Sequence, residues 1–166
     1  MSGFAKTTNL LTSFFLYTVL ALIVIVAGIK AVNYSTDFKF YSHYLLKWES
    51  ALTRLFAQDI ILPHFSGKNH VRYMDDLVHL MNTLQIEVPS SNTGRPYVYQ
   101  LSKIGYSKNQ DIFLLCFEKK IILYGLSKTT FNMLDKNIDG QPGKNSGKLK
   151  GKLQKDNEHY AGIWEL

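Results

Sequence analysis

The sequence predicts an α+β fold in which a long N-terminal transmembrane and amphipathic helix packs on a small antiparallel sheet. An irregular Gly- and Lys-rich loop is expected to follow the sheet. Three observations predict this fold: an uncharged apolar run at residues 7–29, apolar residues at helical spacing as far as Phe56, and consecutive strand-like runs after residue 97. Helices followed by consecutive strands are typical of α+β domains with antiparallel pairing.

The apolar run is longer than the roughly 20 residues that a helix needs to cross the hydrocarbon of a bilayer. It is dense in Leu, Ile, Val and Phe on every face, and helices of soluble proteins are rarely apolar all round over such a length. We therefore expect a membrane anchor at residues 1–30. A cleaved signal peptide is the alternative, because Val26, Ala27 and Gly28 are small residues at suitable cleavage positions.

The charges that flank the anchor leave its orientation open. Lys6 lies on the N-terminal side, whereas Lys30, Lys39 and Lys47 follow the apolar run. This balance favours a cytoplasmic C-terminal domain by the positive-inside rule, although large domains are translocated largely regardless of such counts.

Residues 31–62 are expected to continue the helix as an amphipathic half. Steps of three and four separate the apolar residues, which is the helical period. The predicted inward stripe is Phe38, Tyr41, Tyr44, Leu45, Trp48, Leu52, Leu55 and Phe56, and the residues assigned to the other faces are Asp37, Lys39, Lys47, Glu49 and Arg54. The helix is expected to end before Pro63.

Residues 63–166 are expected to form the head. Its first element is a helix at residues 72–84, and a turn-rich loop at residues 89–96 separates this helix from the strands. Strands are predicted at residues 97–104, 112–117 and 120–124, the last two joined as a hairpin across Glu118 and Lys119.

The C-terminal part begins with a short helix that Ser127 caps and that runs through Leu134. Residues 135–166 are rich in Gly, Lys and Asn and are predicted to be an irregular loop. Cys116 is the single cysteine, so the core must hold without an intrachain disulfide.

The sharpest local motif is the run from Asp135 to Gly140. Asp135, Asn137 and Asp139 match the first half of a calcium loop, in which alternate oxygen side chains converge before a glycine. The second half does not match, because Ser146 stands where a bidentate Glu would lie. These three residues are a candidate calcium site, and a helix end followed by an Asx/Gly turn is the alternative.

Lysines are concentrated near the C-terminus, at Lys148, Lys150, Lys152 and Lys155, within a chain of net charge +6. With Tyr160 and Trp164 nearby they could contact a nucleic-acid backbone and stack bases. A solvated loop is the simpler interpretation.

No arrangement of residues predicts catalysis. The histidines lack the spacing of a zinc helix or finger, and there is no G-x-S-x-G elbow. The glycine- and lysine-rich run at residues 143–148 has Leu149 where a phosphate-binding loop needs Ser or Thr. A non-enzymatic role is therefore expected, with no cofactor except calcium.

Two patches carry a resemblance to a known family. Residues 124–126, 134–143 and 146–147 are similar to an "lDxkiDdGxpxsG" stretch of exported pilin-like domains. Residues 139–143, followed by Trp164, resemble the calcium loop of major pseudopilins. With the anchor and the sheet, the chain resembles the type IV pilin and type II secretion pseudopilin superfamily.

The resemblance implies a processing junction at Gly3 and Phe4, but Thr8 occupies the fifth position after it, where the family carries Glu. It implies a structural subunit of a type II secretion or type IV pilus-type filament, or of its assembly platform, in an initiating or accessory position. The implied partners are membrane lipid and other pilin-like subunits, contacted through the N-terminal helix. The implied location is the inner membrane, crossed once, with a periplasmic or extracellular head.

A protein of another class is the alternative: a single-span membrane protein whose exported head binds a ligand or DNA through the lysines at residues 148–155. Strong, salt-dependent DNA binding would favour this alternative.

Overall fold

One helix without interruption opens the chain. The computed structural model describes residues 2–58, 60–105, 109–140, 147–155 and 158–166, with side chains from residue 9 onward. Helix α1 covers Ser2–Lys39, a π-helical segment covers Phe40–Leu45, and α2 covers Leu46–Phe56. The predicted continuous helix is confirmed, and it ends seven residues before Pro63 rather than next to it.

The remaining elements form the sheet and two further helices. Their bounds are α3 His70–Thr83, β1 Val98–Leu101, β2 Gln110–Phe117, β3 Lys120–Leu126, α4 Lys128–Asp139, β4 Leu149–Leu153 and β5 Tyr160–Glu165. Within the described residues the strands form one sheet in the order β1-β2-β3-β5-β4, and every neighbouring pair is antiparallel. The predicted α+β class is therefore confirmed.

Two local predictions are confirmed in detail. The β2–β3 hairpin turns at Glu118 and Lys119, whose φ angles of 49° and 59° are the positive values that a type I′ turn requires. Ser127 caps α4, because its hydroxyl accepts a hydrogen bond from the Thr130 N–H at 3.2 Å.

The C-terminal part differs from the predicted irregular loop at residues 135–166. Helix α4 continues to Asp139 and ends at Gly140, which adopts a left-handed conformation with φ of 78°. Strands β4 and β5 then pair with each other, and β5 also pairs with β3. Gly151 and Gly162 face each other in this pairing at inward positions where an apolar residue would be expected, so the sequence shows too few apolar residues to reveal two strands.

The sheet has one face covered by the N-terminal helix and by α4. The rings of Phe40 and Tyr44 lie 5.0 and 4.7 Å from the ring of Tyr99 in β1, and Phe131 of α4 stacks on Tyr160 of β5 at 5.4 Å. Residues such as Leu114, Cys116, Ile121 and Leu123 fill the space between them and are fully buried. The opposite face receives α3 at its N-terminal end, where the His70 ring lies 6.5 Å from Phe113 and 6.0 Å from Tyr124.

The inward stripe of the amphipathic half begins at different residues from those predicted. Asp37 and Phe40 are buried, whereas Phe38, predicted to face inward, is 43% exposed and Tyr41 is half-buried. The predicted outward position of Asp37 is therefore wrong. The physical reasons are the wide turns of the π-helical segment, which change the phase of the helix, and a buried cation that pairs with Asp37.

We expect Gly151→Val to destabilise the head, since a Cβ at residue 151 would overlap the ring of Phe131. Overpacking of this kind costs about 1–3 kcal/mol. The matched control is Lys152→Val on the exposed face of the same strand, which should change the free energy of unfolding by no more than about 0.5 kcal/mol. Denaturant unfolding of the full chain in detergent, followed by the fluorescence of buried Trp48 and Trp164, measures both, and equal effects would contradict the packing.

Candidate functional site

The first half of the N-terminal helix is uncovered. This helix is long and apolar enough to cross a membrane, and none of its most apolar window is buried by the rest of the chain. Large apolar side chains are exposed over several turns: Leu10, Leu11, Phe14, Phe15, Leu16, Tyr17, Leu20, Leu22, Ile23, Val24, Ile25 and Val26. Apolar surface of this extent marks a site of contact with lipid or with another protein.

A buried ion pair lies where the uncovered helix meets the head. The Lys103 ammonium lies 2.7 Å from Asp37 Oδ2, and the two side chains are only 4% and 6% exposed. The Thr130 hydroxyl donates to Asp37 Oδ1 at 3.1 Å and accepts from the Lys103 ammonium at 2.8 Å. Three separate parts of the chain therefore meet at one polar cluster: α1, the residues after β1, and the first turn of α4.

A second contact lies one turn closer to the N-terminus. The Asn33 amide accepts a hydrogen bond from the Ile104 N–H at 2.9 Å and donates to the Ile104 carbonyl at 3.0 Å. Asn33 and Asp37 are four residues apart, so they lie on the same face of α1. The residues after β1 are thus held along the helix at two successive turns.

Aromatic side chains continue the exposed surface beyond the apolar run. Tyr34 is 54% exposed and its ring stacks on that of Phe38 at 6.4 Å between centroids. Tyr is enriched where a transmembrane helix passes through the headgroup layer of a bilayer. Where the helix meets the head, the exposed side of the helix therefore carries the aromatic rings of Tyr34 and Phe38, and the side covered by the head carries the ion pair of Asp37.

Sequence reasoning missed the polar cluster at Asp37, Lys103 and Thr130. The one available signal was an acidic residue, Asp37, seven positions before Tyr44 of the predicted inward stripe and therefore on the same face of the helix. Lys103 gave no signal, because nothing in its surroundings in the sequence indicates which residue of a distant helix it approaches.

The candidate calcium residues lie on α4 rather than in a loop. Asp135 is buried inside the head, and the Asn137 amide donates back to the Met133 carbonyl at 2.7 Å. Residues 141–146, which would supply the rest of a calcium loop, lie outside the described residues. Within the described ranges no group of three His, Cys, Asp or Glu side chains could hold a metal ion. Calcium binding stays a prediction.

Asp139 has a clear structural role. Its carboxylate accepts the Lys148 N–H at 2.7 Å and the Leu149 N–H at 3.0 Å. Gly147, with φ of 98°, lies so close that a Cβ would overlap this carboxylate. The Asp139 side chain therefore connects the end of α4 to the start of β4. Gly147, which belongs to the pilin-like stretch matched in the sequence, permits the close approach.

The predicted basic residues are spread along and beyond an edge strand. Lys150 and Lys152 alternate with Leu149, Gly151 and Leu153 in β4, so they point to the same face of the sheet, and Lys150 forms an exposed ion pair with Glu165 at 3.1 Å. Lys148 and Lys155 lie at either end of β4 and are exposed. Lysines on an edge strand also oppose pairing with a strand of another molecule.

The predicted processing site and the cysteine lie in different parts of the fold. Gly3 and Phe4, the predicted processing junction, lie in α1, and their side-chain surroundings fall outside the described residues. Burial raises the pKa of the Cys116 thiol well above its ordinary value. The thiol is therefore protonated at neutral pH and protected from alkylating reagents.

We expect Lys103→Met to lower the free energy of unfolding by about 3–5 kcal/mol, since it leaves the carboxylate of Asp37 buried without its cation. Lys150→Met is the matched control, because it breaks an exposed ion pair and should cost no more than about 1 kcal/mol. Tryptophan fluorescence during denaturant unfolding of the full chain measures both changes. Similar losses in the two variants would contradict a structural role of the buried pair.

We expect Asp139→Ala to destabilise the head by about 1–3 kcal/mol, because two backbone N–H groups lose their charged acceptor. Asp76→Ala, at an exposed position of α3, is the control. Melting temperatures are compared in EDTA and in millimolar calcium. A loss in EDTA shows the structural role; additional stabilisation by calcium in the parent chain alone would support the calcium prediction. A variant that melts like Asp76→Ala in EDTA would contradict the structural role.

The arrangement of a long apolar N-terminal helix and an antiparallel sheet is compatible with a pilin-like architecture. No protein-family model, no curated protein and no solved structure matches the chain.

Proposed function

We propose that this chain is a pilin-like or pseudopilin-like membrane protein with a structural role in a type II secretion or type IV pilus-type filament, or in its assembly platform. The observation that carries the proposal is the undivided N-terminal helix. Its first half exposes apolar side chains on all sides, and its second half is part of the core of the head. A helix of this kind suits a subunit that is held in a bilayer and then packed beside other helices.

A polar side chain within the anchor is also compatible with lipid surroundings. The Thr18 hydroxyl donates to the Phe14 carbonyl at 2.8 Å, so the hydroxyl is satisfied within the helix, as hydrocarbon surroundings require. Charged residues are absent from residues 7–29. Helix association in a membrane depends on close packing of such segments rather than on a hydrophobic driving force.

The position of the subunit follows from the residues after the candidate junction at Gly3 and Phe4. Thr8 occupies the place of the family's glutamate, and that glutamate would neutralise the amino terminus of a neighbouring subunit inside the membrane. A subunit without it suits an initiating or accessory position better than the bulk of a filament. In this proposal the head lies in the periplasm or outside the cell.

The role proposed is structural and not catalytic. The polar cluster at Asp37 is enclosed between the helix and the head, which suits a structural joint. Cys116 is buried and its raised pKa makes it a poor nucleophile. A head that binds DNA through its lysines is the alternative, and salt-dependent binding by the full chain that Lys150→Ala and Lys152→Ala abolish would favour it.

We expect the full chain to remain with membranes after alkaline carbonate extraction and to be released by detergent, because residues 7–29 carry no charge and most of their exposed side chains are apolar. N-terminal sequencing of the membrane-bound chain then distinguishes a start at Phe4 from a start at Met1. A chain released by carbonate alone, or one that begins near Ile29, would contradict the proposal.

Association of anchors is tested by disulfide crosslinking in native membranes. Leu16→Cys and Ile23→Cys lie seven residues apart on one face of the exposed helix, and Glu87→Cys in the exposed part of the head is the control. Native Cys116 is buried and should not react. Crosslinks to pilin-like subunits from the two anchor positions alone support the proposal, and equal crosslinking from Glu87→Cys would contradict it.

A further inference from the structure

A cavity of about 270 Å³ opens at the junction between the anchor and the head. Lys30 and Tyr34 of α1 form one side of it, Lys103 forms another, and Thr129 in the first turn of α4 forms a third. We call this space the junction cavity. It lies next to the ion pair of Asp37 and Lys103, outside the packed core.

The junction cavity has an excess of positive charge. Asp37 compensates the charge of Lys103, with 2.7 Å between the charged atoms. Lys30 is exposed and forms no ion pair with any residue in the described part of the chain. One uncompensated ammonium group therefore lines a space that also contains the Thr129 hydroxyl, which lies 3.4 Å from the Lys103 ammonium and 3.1 Å from the Ser127 hydroxyl. An ammonium group without a carboxylate partner suits an anionic group.

The Lys30 end of the junction cavity lies at the height of the headgroup layer of a bilayer, and its Asp37 end lies just beyond that layer. Lys30 directly follows the uncharged run at residues 7–29, and Asp37 lies about 10 Å farther along a helix that rises about 1.5 Å per residue. The headgroup layer is about 5–7 Å thick on each side of the hydrocarbon. Exposed Tyr34 lies at the same level, where aromatic residues anchor transmembrane helices.

The contact between Asn33 and Ile104 places the residues after β1 at this level too. Ile104 is 48% exposed, although its backbone is held by the Asn33 amide through two hydrogen bonds. An exposed apolar side chain beside a lysine is a suitable contact for the boundary between headgroups and acyl chains. The junction therefore presents to the membrane surface an apolar group of the head, Ile104, and a cationic group of the anchor helix, Lys30.

We propose that the junction cavity binds the phosphate-bearing headgroup of an anionic phospholipid in the leaflet from which the head emerges. The inference rests on the membrane anchoring in the proposed function. The Lys30 ammonium pairs with the phosphate, and the exposed Ile104 contacts the adjoining lipid. A bound lipid then fixes the tilt of the head relative to the bilayer.

The test uses the full chain in nanodiscs that contain equal amounts of phosphatidylcholine and phosphatidylglycerol. Native mass spectrometry after release into detergent counts the lipids retained by each protein. We expect the parent chain to retain phosphatidylglycerol preferentially and Lys30→Gln to reduce this preference about fivefold. Tryptophan fluorescence confirms that the head of each variant is folded.

Two further variants separate a site from general attraction to an anionic surface. Thr129→Leu fills part of the junction cavity without a change of charge and should also reduce the preference. Lys128→Gln removes an exposed lysine next to Thr129 that does not line the cavity, and should retain the preference. Equal losses in Lys30→Gln and Lys128→Gln, with Thr129→Leu unchanged, would show general surface attraction and overturn the inference.

The remaining outcomes distinguish this inference from the proposed function. A chain that inserts into nanodiscs but shows no preference for phosphatidylglycerol overturns the headgroup site and leaves the proposed function intact. A chain that does not insert at all overturns both. Binding of inorganic phosphate in uncharged detergent, with the same dependence on Lys30 as the lipid, would show that a soluble anion suffices and would overturn the assignment to lipid.

Discussion

The buried ion pair between Asp37 and Lys103 lies where the N-terminal helix meets the head. Removing two charges from water costs several kcal/mol per ion, and this cost is offset only when the geometry and the additional hydrogen bonds are good. Thr130 supplies such bonds at 3.1 and 2.8 Å. Apolar contacts along a helix tolerate displacement, whereas a displacement by one turn of about 5.4 Å would separate these charges. The pair therefore specifies the register between helix and head.

The π-helical segment keeps buried aromatic residues close to one face of the helix beyond Asp37. Phe40, Tyr44 and Trp48 are each four residues apart and all are 1% exposed or less. In a regular α-helix each step of four residues rotates a side chain forward by about 40°, so three such residues would drift off one face. Wider turns over Phe40–Leu45 reduce this drift. The rings of Phe40 and Tyr44 can then contact Tyr99 of the sheet, with Trp48 buried beside Tyr44, while Asp37 reaches Lys103.

The sequence was sufficient to predict elements whose cause is local. The long apolar helix follows from its composition, the hairpin at Glu118 and Lys119 follows from the apolar runs on either side, and the Ser127 cap follows from its position before a helical pattern. Strands β4 and β5 could not be predicted, because Gly151 and Gly162 leave room for the side chains of Phe131 and Leu126, which belong to earlier elements of the chain. The polar cluster was missed for a similar reason, since Asp37 and Lys103 explain each other only after folding. The predicted calcium site, the predicted contact surface of lysines and the predicted processing site at Gly3 and Phe4 depend on function, and they stay predictions.

The head holds the N-terminal helix from one side only. Asn33 and Asp37 lie about 40° apart around the helix axis, and Tyr34 and Phe38 lie about 100° farther round on the open side. That open side carries stacked, exposed aromatic rings, and it is continuous with the exposed apolar surface of the first half of the helix. A helix enclosed on all sides by its own head could not contact the helices of neighbouring subunits. The one-sided contact therefore supports the proposed structural role, because it leaves the helix rigidly attached and still available for lateral packing.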